Sequence, residues 1–176
     1  MFQFKELGTF DVINFKKIIN KITEEEWKKY DYRQKNFDAH KNTLTVPIIF
    51  DEDFRSKNPT QREFYKECKS QLDILSNKLE NIYGKGFIIR AILVNLLKNS
   101  KISKHIDGDT IESLRTAHRI HIPLQTNKNV LFSVGEKEIH MTEGSVWEIN
   151  NSGEIHGVEN NSNEDRIHLI VDWQTL

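Results

Sequence analysis

Cysteine is almost absent: Cys68 stands alone among 176 residues. No disulfide can close within the chain, and a thiolate-rich zinc cluster is excluded. Proline is also scarce at 3 and glycine numbers 8, so the chain is neither collagenous nor a low-complexity linker. No apolar run approaches the ~20 residues of a membrane-spanning helix. The start, Met1-Phe2-Gln3-Phe4-Lys5, has neither a basic n-region nor an apolar h-region, so no signal peptide is expected. Net charge is missing as well, with 25 Lys and Arg against 26 Asp and Glu. Nucleic-acid binders usually carry a basic excess, because counterion release supplies much of their affinity, so no nucleic-acid partner is expected. The 37% of hydrophobic residues suffices for an ordinary core. The expectation is a soluble, cytoplasmic protein folded as one domain over residues 1–176, with no membrane contact. Oligomeric state is unreadable. What the chain does have is clustered histidine: seven in all, six of them between positions 105 and 168.

Residues 1–85 read as mainly helical support with an edge strand. Asp11 can cap a helix whose apolar residues Phe15, Ile18, Ile19 and Ile22 recur at helical spacing. Glu24-Glu25-Glu26 with Trp27 extends it or opens a second helix. Thr43 to Phe50 is rich in β-branched residues and predicts a strand, which Pro47 pushes toward an edge or a bulge. Thr60-Gln61-Arg62-Glu63 fits a capping box, followed by the stripe Phe64, Cys68, Leu72, Leu75, Leu79 and Ile82, ending near Gly84. From residue 86 the style changes. Short segments rich in Val, Ile and aromatics predict strands near 87–97, 102–106, 117–124, 129–134, 137–141, 145–149, 154–159 and 166–173. So many short strands suggest a double-sheet barrel or jelly roll, giving an α+β, mainly β protein with helices packed on it.

The candidate chemistry lies on the β part. At strand period, His105 and Asp107 point to one side, where imidazole and carboxylate can share a metal; the bland alternative is a strand ending in an Asp107-Gly108 turn. His156 lies 49 positions beyond Asp107. Two His and one carboxylate on one face of an iron is the arrangement of non-heme Fe(II) oxygenases; a hydrogen-bonded loop histidine is the alternative. Arg166 follows ten residues later, sharing a strand face with His168, Ile170 and Asp172 opposite Ile167, Leu169 and Val171. If that face lines the barrel, an arginine fork gripping a carboxylate explains it; if it faces solvent, nothing needs explaining. Arg119 and His121 repeat the pattern opposite Ile120, Ile122 and Leu124. A polar barrel lining is costly unless a polar ligand occupies it.

This ordered set resembles the aspartyl/asparaginyl β-hydroxylase family of Fe(II)- and 2-oxoglutarate-dependent dioxygenases, which includes bacterial proline hydroxylases. The resemblance covers roughly 87–173. It rests on His105-Ile106-Asp107-Gly108, Arg119-Ile120-His121-Ile122-Pro123-Leu124, Glu143-Gly144 before Val146-Trp147, His156-Gly157-Val158-Glu159-Asn160 and Arg166 to Asp172. It implies a double-stranded β-helix, cupin-like, as the catalytic core over 86–176. It implies His105, Asp107 and His156 as iron ligands, Arg166 on the distal carboxylate of 2-oxoglutarate, and Arg119 and His121 near its metal-binding end. With Fe(II), 2-oxoglutarate and O2, the implied reaction hydroxylates an amino acid or a peptidyl aspartyl, asparaginyl or prolyl side chain, yielding succinate and CO2. Vertebrate protein hydroxylases of the family have glycine at the acidic ligand position. Asp107 therefore makes the chain look more like the bacterial, proline-type branch.

Arg115, between His105 and Arg119, is in position to reach a substrate carboxylate, or is a solvated loop residue. His168 is a substrate contact or packing. His118 falls on the face opposite Arg119 and reads as structural, His140 as solvated, and His40 as lacking an obvious partner. Trp147 reads as core and Cys68 as a buried, inert thiol. Two other classes compete: a cupin-like metal-binding sensor that oxidises nothing, and an interaction domain with a vestigial site. A plain metal store needs no carboxylate clamp such as Arg166.

Overall fold

The computed structural model describes residues 2–53, 58–107 and 112–176. Its strands are β1 (Phe4–Thr9), β2 (Thr43–Ile49), β3 (Gly86–Leu96), β4 (Ser100–His105), β5 (His118–Gln125), β6 (Val130–Val134), β7 (Lys137–Ile139), β8 (Ser145–Ile149), β9 (His156–Asn160) and β10 (Arg166–Thr175). They form two antiparallel sheets, one ordered β1-β8-β5-β10-β3-β2 and the other β4-β9-β6-β7. Helices α1 (Ile13–Ile19), α2 (Glu24–Lys29), α3 (Tyr32–Asn36), α4 (Tyr65–Tyr83) and α5 (Glu112–Thr116) complete the fold. No helix among the described residues is long and apolar enough to cross a membrane.

Strand alternation gives the six-stranded sheet two different faces. Ile120, Ile122 and Leu124 of β5, with Ile167, Leu169 and Val171 of β10, join Phe15, Leu72, Leu75 and Leu79 of the helices in the main core. The opposite face turns toward the four-stranded sheet. There Leu96 and Ile149 pack with Ile102, Val130, Phe132 and Val158 from that sheet. The face that carries Arg119, His121, Arg166, His168 and Asp172 is therefore interior, and all five are buried.

The eight strands expected after residue 86 correspond to β3–β10, with small differences at their ends. Pro47 sits on an edge strand, and the β2–β3 register shifts between Pro47 and Ile49, so the edge and the bulge both occur. The N-terminal part contributes more than one edge strand: β1 and β2 flank the six-stranded sheet on both sides. Asp11 accepts from the Ile13 amide at 3.0 Å, but the N-cap position falls on Val12 and the helix ends at Ile19, short of Ile22. The glutamate run opens a second helix, where Thr23 and Glu26 form a reciprocal capping box.

The capping box expected at Thr60–Glu63 does not form. The Phe50 amide donates to the Thr60 carbonyl at 3.0 Å and the Arg62 amide to the Ile48 carbonyl at 2.8 Å, while Gln61 bridges Ile49. Those backbone groups extend the pairing at the end of β2, so the helix begins only at Tyr65. Its stripe buries Cys68, Leu72, Leu75 and Leu79, whereas Ile82 is exposed. It stops at Gly84, whose φ of 87° suits glycine.

Candidate active site

His105 closes β4 and pairs in register with His156, the first residue of β9, so the two sequence-distant imidazoles meet across one ladder. Their ring centroids are 4.4 Å apart. Asp107 lies just past β4, its amide bonded to the Asn151 carbonyl at 2.9 Å. Its Oδ1 is 3.3 Å from His105 Nε2 and its Oδ2 is 3.6 Å from His156 Nε2. One ligand atom from each of the three falls within 4.8 Å of the others. The His105 Nδ1 faces the Ser103 carbonyl at 2.7 Å and His156 Nδ1 the Glu154 carbonyl at 3.4 Å. A carbonyl only accepts, so Nδ1 carries the proton and Nε2 is left with its lone pair toward Asp107. Burial, then the neighbouring His105 and Arg119, push His156 down to about 3. Burial also lowers His105. Both rings are neutral near pH 7, the state a metal ligand requires.

Beside the triad is a buried guanidinium row. Asp172 on β10 lies directly opposite Arg119 on β5 and Arg90 on β3. Arg119 grips it with two hydrogen bonds, Nε at 2.8 Å and Nη2 at 3.1 Å, and Arg90 Nε is 2.7 Å from its Oδ2. The remaining Arg119 nitrogen pairs with Asp107. Burial opposes ionisation of Asp172, but Arg119 and Arg90 outweigh it and hold its pKa below the usual carboxylate value. Arg33 of α3 joins from the other side, donating to His40 Nε2 at 2.8 Å, with its Nη1 buried and unpartnered.

Deeper in, Arg166 is fully buried. Its Nη2 donates to His168 Nδ1 at 2.6 Å, which leaves the proton of His168 on Nε2. Arg166 Nε and Nη1, His168 Nε2 and both ring nitrogens of His121 have no protein partner. Buried polar groups are costly when unpaired, so this concentration of orphan groups marks a place for a polar ligand. The triad, Arg119, His121 and Arg166 line one inner cavity of about 30 Å³ with the apolar Val94, Ile102, Phe132, Val158 and Ile170. An outer cavity of about 260 Å³ adjoins it, sharing Arg33, His40, Arg90, His105, Asp107 and Arg119.

His105, Asp107, His156, Arg119, His121 and Arg166 thus converge, and His168 joins them through Arg166. Arg115 does not: it is exposed on α5 and outside both linings, although its neighbour Leu114 lines the outer cavity. Gly108 lies outside the described residues. His118 is structural as expected, stacked on Tyr83 at 3.8 Å and 2.6 Å from Glu148. His140 is half-buried rather than solvated, because its Nδ1 bonds the Val130 carbonyl at 3.1 Å. His40, expected to lack a partner, is buried against Arg33 with its ring 5.2 Å from that of His105. Trp147 is half-buried and packs on Phe4, and Cys68 is buried. Arg33, His40, Arg90 and Asp172 went unrecognised in the sequence. Arg90 and Asp172 did carry a signal, since each is a charged residue within a strand otherwise rich in apolar residues.

The fold and site define a class: a two-sheet protein with a candidate His–Asp–His metal centre and a buried arginine beside it. The family model described as aspartyl/asparaginyl beta-hydroxylase matches residues 11–175, and the chain belongs to that family. The solved structures it resembles include a viral collagen prolyl hydroxylase from Paramecium Bursaria Chlorella virus-1 in its 2OG complex, at TM-score 0.62 and 10% identity over 99% of this chain and 97% of that one. A Pseudomonas putida prolyl-4-hydroxylase gives TM-score 0.57 and 10% identity over 99% and 93%. A Burkholderia pseudomallei oxidoreductase of the 2OG-Fe(II) oxygenase family gives TM-score 0.60 and 17% identity over 75% and 67%. No curated protein sequence matches. The chain is a 2-oxoglutarate-dependent non-heme iron hydroxylase, with Fe(II), 2-oxoglutarate and O2 as its cofactor and co-substrates. Its residues fit that set. Nitrogen and carboxylate donors without thiolate suit Fe(II), and the orphan donors of Arg166 and His168 suit a carboxylate.

Proposed function

We propose that the chain hydroxylates an amino acid or an amino-acid side chain, of the aspartyl/asparaginyl or prolyl type, on a double-stranded β-helix core. The family description and the prolyl-4-hydroxylase likeness support that substrate range. The compartment proposed is the cytoplasm. His105, Asp107 and His156 hold the iron through Nε2, a carboxylate oxygen and Nε2. With 2-oxoglutarate and O2, bound iron supplies the oxidising power that yields succinate and CO2 and hydroxylates a substrate C–H bond. The protein's own work is positional. Arg166 receives the distal carboxylate of 2-oxoglutarate, and His168 Nε2–H and His121 stand ready as further partners. Arg119, tied to Asp172, steadies Asp107 and adds positive charge at the metal-proximal end. Val94, Ile102, Phe132, Val158 and Ile170 keep water from the reacting centre.

The observation that carries this reading is the pair of unpartnered nitrogens on fully buried Arg166, in the cavity that the triad lines. Anaerobic calorimetry of the Mn(II)-loaded protein tests it. Arg166→Ala should weaken 2-oxoglutarate binding at least tenfold, about 1.4 kcal/mol, while leaving Mn(II) binding intact. Unchanged 2-oxoglutarate affinity would overturn the assigned carboxylate role.

A further inference from the structure

Arg166 lines only the inner cavity, and the outer cavity holds further positive charge in the wall that the two share. Arg33 and Arg90 line it. Arg33 is 7% exposed and has a buried, unpartnered Nη1. Burial, with Arg90 and Arg119 nearby, lowers its pKa only to about 9, so it is charged at neutral pH. Among the described residues, the walls of the two cavities bring together four guanidiniums, from Arg33, Arg90, Arg119 and Arg166, against Asp107 in the lining and Asp172 behind Arg90 and Arg119. A divalent iron and the 2-oxoglutarate dianion cancel one another, so an excess of two positive charges persists in the loaded enzyme. Buried charge of that kind needs an anion.

The walls above this charge are apolar. Phe50 and Leu114 are buried there, and Phe37 and Ile106 stand 39% and 40% exposed at the rim. Asp38, the carboxylate at the same mouth, is exposed to solvent. At about 260 Å³ the cavity falls just below the range of drug-sized pockets, which suits a small molecule or a single side chain.

Resting on the hydroxylase reading above, we infer that the substrate is a carboxylate with an apolar body, its carboxylate received by Arg33 and Arg90 and its body held by Phe37, Phe50, Ile106 and Leu114. His40, against Arg33 Nη2, fixes the direction of that guanidinium and acts as a positioning residue.

The test uses the protein loaded with Mn(II) and saturating 2-oxoglutarate, so that the Arg166 position is filled. N-acetyl-L-leucine, N-acetyl-L-leucinamide and N-acetylglycine serve as probes in calorimetry. The acid should bind at least tenfold tighter than its amide, which lacks the charge, and at least tenfold tighter than N-acetylglycine, which lacks the body. Arg33→Gln should remove the acid-over-amide preference in protein saturated with 2-oxoglutarate. Equal binding of acid and amide to the unmodified protein overturns the inference, and that comparison needs no variant to fold. A preference that survives in Arg33→Gln overturns the role given to Arg33. Tighter binding of inorganic phosphate than of any carboxylate would overturn the substrate class. If 2-oxoglutarate itself fails to bind with Mn(II), the hydroxylase reading falls instead, and the acid–amide comparison with Mn(II) alone still decides the anion site.

Discussion

Replacing Asp172 by Asn changes one charge at the centre of the interior and almost no volume. The carboxylate is 1% exposed and lies between Arg119 and Arg90, themselves 6% and 7% exposed. Asn cannot neutralise either guanidinium: Arg90 loses its carboxylate partner, and Arg119 keeps only Asp107. Breaking a buried ion pair from one side costs about 3–5 kcal/mol, because the remaining charge stays desolvated. With a urea m-value of about 2 kcal/mol/M, the unfolding midpoint of the metal-free protein should fall by ~1.5–2.5 M. Urea titrations followed by tryptophan fluorescence measure this directly. Adding Arg90→Met to Asp172→Asn should recover part of the loss, since the cation left without its carboxylate is removed. A loss below about 1 kcal/mol, typical of an exposed pair, would refute the claim that the row is desolvated. Strict additivity of the two substitutions would refute direct coupling.

Acid should weaken the metal-free protein before it protonates the carboxylates. His156 falls to about 3 in the fold, and burial drives His40, His121 and His168 the same way. Between the folded and unfolded values the unfolded chain binds protons that the folded chain does not, so stability drops as pH falls through about 6.5. His156 should contribute about 1.4 kcal/mol of loss between pH 7.5 and 5.5, with the other three adding in the same direction; an unchanged urea midpoint would contradict this. The Cys68 thiol, pushed up to about 12 by burial and then Glu67, should resist a thiol-specific disulfide reagent at pH 8 until urea unfolds the chain. Rapid labelling of the native protein would show that the α4 stripe opens.

The β part was legible because two periodicities coincide in it. Alternation in β5 and β10 separates Ile120, Ile122, Ile167 and Leu169 from Arg119, His121, Arg166 and His168, and the structure buries both sets. Burial on both faces turned the polar set from unremarkable surface into a site. What escaped notice depends on tertiary contact. Strand β1 shows no alternation of its own and earns its place only by pairing with β8. The Thr60 box was locally sound, but pairing beside β2 took the Thr60 carbonyl and the Arg62 amide, and the Thr60 amide went to Asp51. Arg33 and His40 belong to short turns of helix without a readable period, and they reach the triad only because α3 and the 3-10 turn after it fold against the barrel mouth. Arg90 and Asp172 are opposite one another in register, a relation that no single strand discloses.

Strand β10 carries Arg166 at its start and Asp172 six residues on, hydrogen-bonded to β3 and β5 on either side. At the rise of an extended chain these stations are about 20 Å apart along the backbone. The strand works as a ruler, with Arg166, the proposed anchor of the co-substrate, at one mark and the organiser of Arg90 and Arg119 at the other. A ruler made of pleated backbone has graduations of two residues, since a slip of one turns every side chain to the wrong face. Sliding β10 therefore cannot retune the reach from 2-oxoglutarate to substrate in small steps. Fine adjustment of substrate length falls to the segment bearing Arg33, Phe37 and His40, which lies outside both sheets, and the contact of His40 with His105 limits how far it can shift.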